Sequence, residues 1–285
     1  MITPILLYGT EIWLPTGKFS LDDWDKTEVE KTHTSLLKQY LGLNRSTQNK
    51  LVRSEFGRFP LLLDAHTRTW SYIKYLKNKS DDSLAKISYE LESSPENNDS
   101  LFVNCDKIYH EISEKNAKKE SDPYKSGKSK FKLFIQNYYI DWWKIQLRGA
   151  STSASFAMHK NSYSLEPYLS VITIKKHRNA LAKLRLSDHK LKIHSGRQTR
   201  PITPRELRYC SFCPNIVEDE AHFLCECTAG SDLKFSFYRN LHIKHPQISS
   251  ITNKQMKYKA IMKIDDPELL KQLGFLVNKL LNERD

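Results

Sequence analysis

Three cysteines and one histidine near the C-terminal end constrain the fold of this chain more than any other feature. They are Cys210, Cys213, His222 and Cys227, spaced as C-x2-C, eight residues, then H-x4-C. Two cysteines three positions apart can hold one metal ion from a tight turn, and a histidine and a cysteine just beyond them can complete a tetrahedron. Thiolates and imidazole suit zinc, and four of them fill its coordination shell. The spacing therefore predicts a structural Zn²⁺ site with no open position for a catalytic water.

Alternatives to this ligand set stay open. Four ordinary buried side chains could occupy these positions, and Cys225 could replace Cys227 as the fourth ligand because it gives H-x2-C. We favour Cys227, since four intervening residues let the chain turn back toward the metal from a short helix. His189 and His194 precede the cluster by too much chain for a compact site. Cys105 is predicted to be a small buried apolar side chain.

The distribution of charge predicts a polyanionic partner. The chain carries a formal net charge of +12, and residues 175–208 hold eleven Lys and Arg against two acids, directly before the Cys-His cluster. A basic segment beside a small metal module presents cations to phosphates, so we predict RNA or DNA as the partner. The candidates for phosphate contact are Arg185, His189, Lys190, Lys192, Arg197 and Arg200. The alternative is a zinc-stapled helical protein-interaction module, whose acidic residues 217–220 would meet a basic partner.

The composition also bears on membranes and on the compartment. No apolar run approaches the roughly 20 residues needed to span a bilayer, so we expect no membrane partner. Five cysteines, four of them clustered, favour metal binding in a reducing compartment over a disulfide framework. We therefore expect an intracellular protein, in the nucleus or the cytoplasm.

Hydrophobic spacing predicts a mainly α fold: a helical bundle-like region, then the small Cys-Cys-His-Cys zinc module, then a C-terminal helix. The predicted segments are 1–60, 61–175 with an exposed loop near 113–130, 176–235 and 236–285. Apolar periodicity places helices around residues 20–41, 60–76, 84–91, 101–112 and 131–145, and Asp266 with Pro267 fits the start of the last helix. The aromatic-rich face of residues 131–145 predicts core packing rather than base stacking. Its members are Phe131, Phe134, Ile135, Tyr138, Trp142 and Ile145.

Several short sequence motifs, here called strings, occur in a defined order along the chain. YGTEIW is followed by EKTH…LLKQYLGL and E-x-GR-x-PL, then by R-x-S-x-HKL…GR, and finally by the Cys-His cluster with VEDE-x-HFL inside it. In this order they resemble the C-terminal region of reverse transcriptases from non-LTR retrotransposons, of the long interspersed element type. The resemblance covers roughly residues 1–80 and 180–240. It implies a region beyond the polymerase palm that helps to bind template RNA and target DNA, with the polymerase portion as a further partner.

The departures from this family concern catalysis. A polymerase of this kind holds two Mg²⁺ ions on three carboxylates, with an aromatic-x-Asp-Asp turn. No aspartate pair of this chain has an aromatic residue two positions before it; the pairs are Asp22-Asp23, Asp81-Asp82 and Asp265-Asp266. We also find no endonuclease constellation of His, Asp, Asn and Glu. The resemblance therefore implies a C-terminal fragment or degenerate copy, and we expect no polymerase activity from this chain by itself.

Overall fold

The computed structural model describes residues 3–13, 21–94, 100–116, 122–125, 127–148 and 154–284. This part of the chain is mainly helical and contains no β-strand, only two isolated antiparallel bridges that join Phe56 to Leu165 and Tyr209 to Val217. The predicted mainly α fold, with a Cys-Cys-His-Cys cluster before a C-terminal helix, is confirmed. None of the described helices is long and apolar enough to cross a membrane.

The helices follow one another along the chain, most of them joined by short connections. The first nine are α1 (Thr3–Leu6), α2 (Thr10–Trp13), α3 (Leu21–Trp24), α4 (Glu28–Leu41), α5 (Asn49–Glu55), α6 (Leu61–Lys77), α7 (Leu84–Glu92), α8 (Leu101–Asn116) and α9 (Lys128–Arg148). They are followed by α10 (Ala154–His159), α11 (Pro167–Val171), α12 (Lys175–Arg185), α13 (Lys192–Ser195), α14 (Glu220–Cys225), α15 (Ser231–Lys244), α16 (Pro246–Ser249), α17 (Lys254–Ile261) and α18 (Pro267–Asn282). Short 3-10 turns span Pro123–Lys125 and Arg205–Leu207.

The chain divides into two compact units, which differ from the four segments predicted from sequence. Unit 1 comprises residues 1–34 and 59–145, and unit 2 comprises residues 35–58 and 146–285. Residues 35–58 belong to unit 2 because their polar groups bind there. The backbone amide of Asn44 donates to Asp188 Oδ2 at 2.7 Å, across 144 positions of sequence. The backbone amide of Glu166 donates to the carbonyl of Glu55 at 2.9 Å.

Aromatic side chains from three helices and the first 3-10 turn form the core of unit 1. The ring of Trp70 on α6 stacks on Phe131 of α9, with centroids 4.9 Å apart and planes 9° apart. On α8, Tyr109 meets Phe131 edge to face at 5.0 Å, and Tyr124 stacks on Trp70 at 6.0 Å. Offset and edge-on ring pairs stabilise a core beyond their burial, by about 0.5–1.5 kcal/mol each. The aromatic face of α9 therefore packs inward over its first two turns, as predicted.

The second half of α9 buries a different face from the predicted one. Tyr139 and Trp143 are fully buried, whereas Trp142 is half-buried and Ile145 is 67% exposed. Buried residues recur at every fourth position from Phe131 onward. The predicted face alternated steps of three and four residues. Because a helix has 3.6 residues per turn, the two patterns diverge along its length. The prediction of this face was wrong from residue 138 onward.

Two further predictions about this region need correction. The exposed loop near 113–130 is shorter than predicted, because α8 continues to Asn116, α9 begins at Lys128, and Pro123 and Tyr124 between them are buried. Residues 117–121 and 126 of that loop lie outside the described residues. On α7 the helix forms as predicted, but its apolar side chains stay exposed and Tyr89 is the buried one.

Unit 2 is built around the C-terminal helix. Asp266 caps α18 by accepting hydrogen bonds from the amides of Glu268 and Leu269, and Pro267 occupies the first turn, as the sequence predicts. The helix buries one apolar face along its whole length: Leu269, Leu270, Leu273, Leu276, Val277 and Leu280. At Gly274 an added Cβ would lie 2.8 Å from Ile172 Cδ1. A larger residue at this position would therefore require the side chain of Ile172 to shift.

Candidate metal centre and nucleic-acid interface

The four predicted ligands converge on one point of unit 2. One ligand atom each from Cys210, Cys213, His222 and Cys227 lies within 4.8 Å of the others, and all four residues are buried. The Sγ atom of Cys227 lies 3.7 Å from that of Cys210 and 3.9 Å from that of Cys213. These separations are far longer than the roughly 2.05 Å of a disulfide, so the three thiols are free. The cluster can hold a metal ion.

A short hairpin places the first two cysteines. The amide of Cys210 donates to the carbonyl of Ile216 at 2.8 Å, and Tyr209 pairs with Val217 in an antiparallel bridge. The turn closes through Asn215, whose φ of 59° lies in the left-handed region. Asparagine adopts this conformation more readily than most residues. The C-x2-C-P-N sequence therefore forms a tight loop with both thiols on its inner side.

The helix α14 places the other two ligands. The carboxylate of Asp219 caps this helix by accepting a hydrogen bond from the amide of His222 at 2.7 Å. The amides of Glu226 and Cys227 both donate to the carbonyl of His222, at 3.0 and 2.8 Å. The chain thus turns sharply at the end of the helix and brings Cys227 back toward the histidine. Lys234, itself buried, donates to the carbonyls of Phe223 and Cys227 and fixes this turn.

The imidazole of His222 is an unsatisfied buried group. Its side chain is fully buried, and its Nδ1 atom lies 3.5 Å from Glu226 Oε2, which is too long for a good hydrogen bond. Neither ring nitrogen has a hydrogen-bond partner among the described residues. Burial lowers the pKa of His222, so the ring stays neutral near pH 7. A neutral, unpaired imidazole among three thiols is the form that ligates a metal.

The surroundings shift the pKa values of the two hairpin thiols in opposite directions. Burial raises the pKa of Cys210 to about 11, although the amide of Phe212 donates to its sulfur at 3.4 Å. The hydroxyl and then the amide of Thr228 lower the pKa of Cys213. A metal ion must therefore displace a proton from Cys210 at neutral pH, and amide and hydroxyl donors support the resulting thiolates.

An arginine that sequence reasoning missed completes the site. Arg284 donates from NH2 to the sulfur of Cys227 at 3.0 Å and from Nε to Glu218 at 3.0 Å. Its guanidinium also lies over the rings of Phe212 and Phe223, 5.0 and 4.7 Å from their centroids. The contact joins residues 57 positions apart, and no local spacing signals it. A divalent ion with three thiolates carries a net negative charge, which this guanidinium balances.

The open alternatives for the ligands are resolved by this geometry. Cys225 lies outside the cluster; its thiol is close to Tyr238, and burial raises its pKa to about 11. His189 and His194 form no group with the cluster, and their own rings lie 6.1 Å apart. Cys227, and not Cys225, is thus the fourth member of the cluster that can hold a metal ion.

Arg185, the first predicted phosphate contact, is instead a buried structural residue. Its guanidinium donates to both carboxylate oxygens of Glu55 at 3.0–3.2 Å, to Glu166 Oε2 at 2.7 Å and to the carbonyl of Met262 at 2.7 Å. Burial opposes the charge, but Glu55 and Glu166 outweigh it and raise the pKa of Arg185. Lys160 pairs with the other oxygen of Glu166. The prediction that Arg185 contacts phosphate was wrong, because a 2% exposed guanidinium with all these partners cannot reach a ligand.

His189 is also buried, and it binds the acidic stretch. Its Nε2 atom lies 3.3 Å from Glu220 Oε1, which also accepts from the hydroxyl of Ser187 at 2.9 Å. Glu218 accepts from the amide of Lys192 at 2.9 Å and from Arg284. Residues 217–220 are thus used inside unit 2, so they do not form the acidic surface assumed for a basic protein partner. His189 was wrongly predicted as a phosphate contact.

The remaining cations of the basic stretch form a groove and an adjoining loop. Three buried members, Arg178, Arg185 and Arg208, do not contribute. A concavity of about 600 Å³ is lined by Lys176, Lys183 and Lys190; we call it the basic groove. Residues 197–205, here called the arginine loop, carry Arg197, Arg200 and Arg205. The basic groove was not foreseen, because a count of charges along residues 175–208 does not show which lysines the fold brings together.

The groove and the loop adjoin each other. Gln198 lines both the basic groove and a concavity of about 340 Å³ formed by the arginine loop, and His194 lines both the groove and a third concavity of about 390 Å³ that includes Arg197 and Arg205. Lys192, next to this segment, is exposed. Among the described residues, no acidic side chain pairs with the three arginines of the loop. Four of the predicted contacts, Lys190, Lys192, Arg197 and Arg200, therefore lie on or near this surface.

Comparison with known proteins adds no relative to this picture. No protein-family model, no curated protein and no solved structure matches the chain.

Proposed function

We propose that this chain is a nucleic-acid-binding region stabilised by a structural zinc ion, of the kind that lies C-terminal to the polymerase in non-LTR retrotransposon reverse transcriptases. Template RNA, target DNA and a polymerase portion are the proposed partners, and an intracellular site is the proposed location. The observation that carries the proposal is the basic surface, the basic groove with the arginine loop, beside a four-residue cluster that can hold a metal ion.

Zinc is the ion that this cluster fits best. A tetrahedral ion with Zn–S bonds of about 2.3 Å requires sulfur atoms roughly 3.7–3.8 Å apart. The two sulfur separations of 3.7 and 3.9 Å agree with this requirement. Three thiolates with one imidazole, all buried, leave no open position for substrate or water. The ion would cross-link the hairpin to α14 and have a structural role.

The basic surface suits a phosphate backbone better than a small ligand. Its cations are spread along α12, α13 and the arginine loop instead of converging on one point. Asp188 is the one acidic residue that lines the groove. Its carboxylate accepts hydrogen bonds from the backbone amide and from the side-chain amide of Asn44. Spread lysines and arginines contact successive phosphates and release counterions, which gives affinity without base specificity.

Three of the strings that carry the family resemblance bind one another within unit 2. Glu55 of E-x-GR binds Arg185 of R-x-S-x-HKL, and Ser187 and His189 of the latter bind Glu220 of VEDE. A charged residue of one string can be buried only if its partner from another string is present, so we expect these strings to occur in the same chain. This dependence supports the interpretation of these three strings as parts of one folded region.

The metal part of the proposal is tested by the metal content of purified protein. We expect one equivalent of zinc, lost on Cys213→Ser and retained on Cys225→Ser. The second variant is a matched control, because it removes a thiol of the same stretch that lies outside the cluster. A preparation that folds fully without any metal would contradict the structural role.

The binding part is tested by the salt dependence of affinity for RNA and DNA. If six cations of the groove and loop meet phosphates, log K should fall with log salt at a slope of about −5 on duplex DNA and about −4 on single strands. Arg197→Ala with Arg200→Ala should weaken binding to unrelated sequences alike and flatten the slope by about one to two units.

A charge-matched control separates the effect of this surface on affinity from the effect of the net charge of the chain. Lys263 and Lys271 are exposed residues of unit 2 that line none of the three concavities. Replacing both with alanine removes the same two charges as the arginine pair and should leave affinity and slope nearly unchanged. A slope near zero, or equal effects of the two pairs, would contradict nucleic-acid binding by this surface.

A further inference from the structure

The metal hairpin carries a cluster of exposed apolar side chains. Between residues 202 and 216, five large apolar residues keep 39–66% of their surface exposed: Ile202, Leu207, Tyr209, Phe212 and Ile216. Single exposed apolar residues are ordinary, but several within fifteen positions of a rigid hairpin mark an interaction surface. None of these five side chains belongs to the metal cluster, so the cluster does not account for them.

The two aromatic rings of this surface are held by the structure that surrounds the metal. Tyr209 is 40% exposed, although its backbone is fixed in the bridge to Val217. Phe212 is 47% exposed; its amide donates to the sulfur of Cys210, and its ring lies 5.0 Å below the guanidinium of Arg284. Rings placed in this way lose little conformational freedom when a flat partner stacks on them.

The charge around these rings indicates which partner they fit. Apart from the buried Arg208, residues 197–216 contain three arginines and one acid, Glu206. The exposed Arg200 and Arg205 have no acidic partner among the described residues. A protein-binding surface of mainly apolar character needs no such excess, whereas cations that track phosphates beside rings that stack on bases are the two components of single-strand recognition.

We propose that Tyr209 and Phe212 form a base-stacking platform, so that the metal hairpin binds single-stranded RNA or DNA in preference to a duplex. This inference deepens the proposed function and rests on it. In a duplex each base is covered by its neighbours and offers only an edge, so a platform gains nothing there. In a single strand the base faces are free, and the arginine loop holds the adjoining phosphates.

The test compares three labelled probes of equal length: oligothymidylate, an abasic strand and a duplex. Tyr209→Ala and Phe212→Ala should each weaken oligothymidylate binding by roughly 5- to 100-fold, as expected for loss of one stacked base. Binding of the abasic strand and of the duplex should change by no more than about twofold, because phosphate contacts remain. The salt slope should stay constant in both variants.

Control variants separate the ring from its apolar area. Ile243→Ala removes a comparably exposed apolar side chain of α15 that belongs neither to this surface nor to the arginine loop, and it should leave oligothymidylate binding unchanged. Tyr209→Trp should retain binding, whereas Tyr209→Leu should lose as much as the alanine variant. Recovery with leucine would overturn stacking and indicate an apolar contact surface for protein.

A second measurement uses the unaltered chain, in case a ring variant loses its metal or its fold. Oligonucleotides with 5-iodouracil cross-link to aromatic rings that stack on the base, so irradiation should join them to Tyr209 or Phe212. Cross-links confined to other residues would overturn the platform even if the chain binds the strand. Absence of salt-dependent binding to all three probes would instead refute the proposed function itself.

Discussion

The structure makes a sharp prediction about Arg185, which sequence alone would place on a nucleic-acid surface. We consider Arg185→Met, which removes the charge while keeping most of the side-chain volume. The change leaves the carboxylate of Glu55, which is fully buried, without its main partner. Glu166 is less affected, because Lys160 still pairs with it. The expected result is loss of stability with no direct loss of phosphate contacts.

The magnitude follows from the number and burial of the bonds lost. Arg185 donates five hydrogen bonds to two carboxylates and one carbonyl, and its guanidinium lies 5.3 Å from the ring centroid of Tyr168. Removing one partner of a buried ion pair costs about 3–5 kcal/mol, because the other charge stays buried and uncompensated. That is a large part of the 5–15 kcal/mol by which a typical domain is stable. Arg185→Lys should recover only part of it, since an ammonium cannot bind both oxygens of Glu55 in the same way.

Urea unfolding with zinc present measures this cost. The double variant Arg185→Met with Glu55→Leu should recover much of the lost stability, because replacing both members of a buried pair by apolar residues is often nearly neutral. Oligonucleotide affinity should be unchanged under conditions in which every variant is folded. A cost below about 1 kcal/mol, or a flatter salt slope in the folded Arg185 variant, would refute the structural role.

Three further predictions concern single residues. Cys213→Ser should release the metal and unfold the hairpin, measured as zinc content and proteolysis, whereas Cys225→Ser should do neither. Arg284→Gln should weaken zinc affinity by about 10- to 100-fold in competition with a chelator, since partners of metal ligands typically contribute that much. Burial lowers the pKa of His66 to about 3, so the unfolded chain binds its proton first as pH falls, and stability should decrease between about pH 6.5 and 3 by up to 1.4 kcal/mol per pH unit. His66→Gln should flatten that dependence; an unchanged pH profile would contradict it.

Features of the fold that depend on local sequence could be predicted. The helix α18 begins where Asp266 and Pro267 require it, because an N-cap carboxylate and a fixed φ act within one turn. The end of α4 at Gly42, with its φ of 62°, follows from the same kind of local chemistry. The metal ligands were predictable for a related reason. Their spacing over eighteen positions limits which four atoms can meet.

Features that depend on distant partners could not be predicted. Whether an arginine in a basic stretch is buried depends on an acid elsewhere in the chain. Arg185 finds Glu55 across 130 positions, and Arg284 finds Cys227 across 57. Exposure along α7 and the second half of α9 is likewise decided by neighbouring helices. Charge counts treat these residues as equivalent to Arg200, although only Arg200 is exposed.

The same long-range pairs connect the metal site to the basic surface. Glu218 binds both the amide of Lys192 and the guanidinium of Arg284, which itself contacts a metal ligand. Glu220, two positions before His222, accepts a hydrogen bond from the hydroxyl of Ser187. The segment that leads into the arginine loop is therefore anchored at two points, to Glu218 just before α14 and to Glu220 in its first turn, and α14 carries His222 of the metal cluster. We therefore predict that removing zinc weakens nucleic-acid binding, because a metal ion in the cluster would fix where the cations of this segment lie.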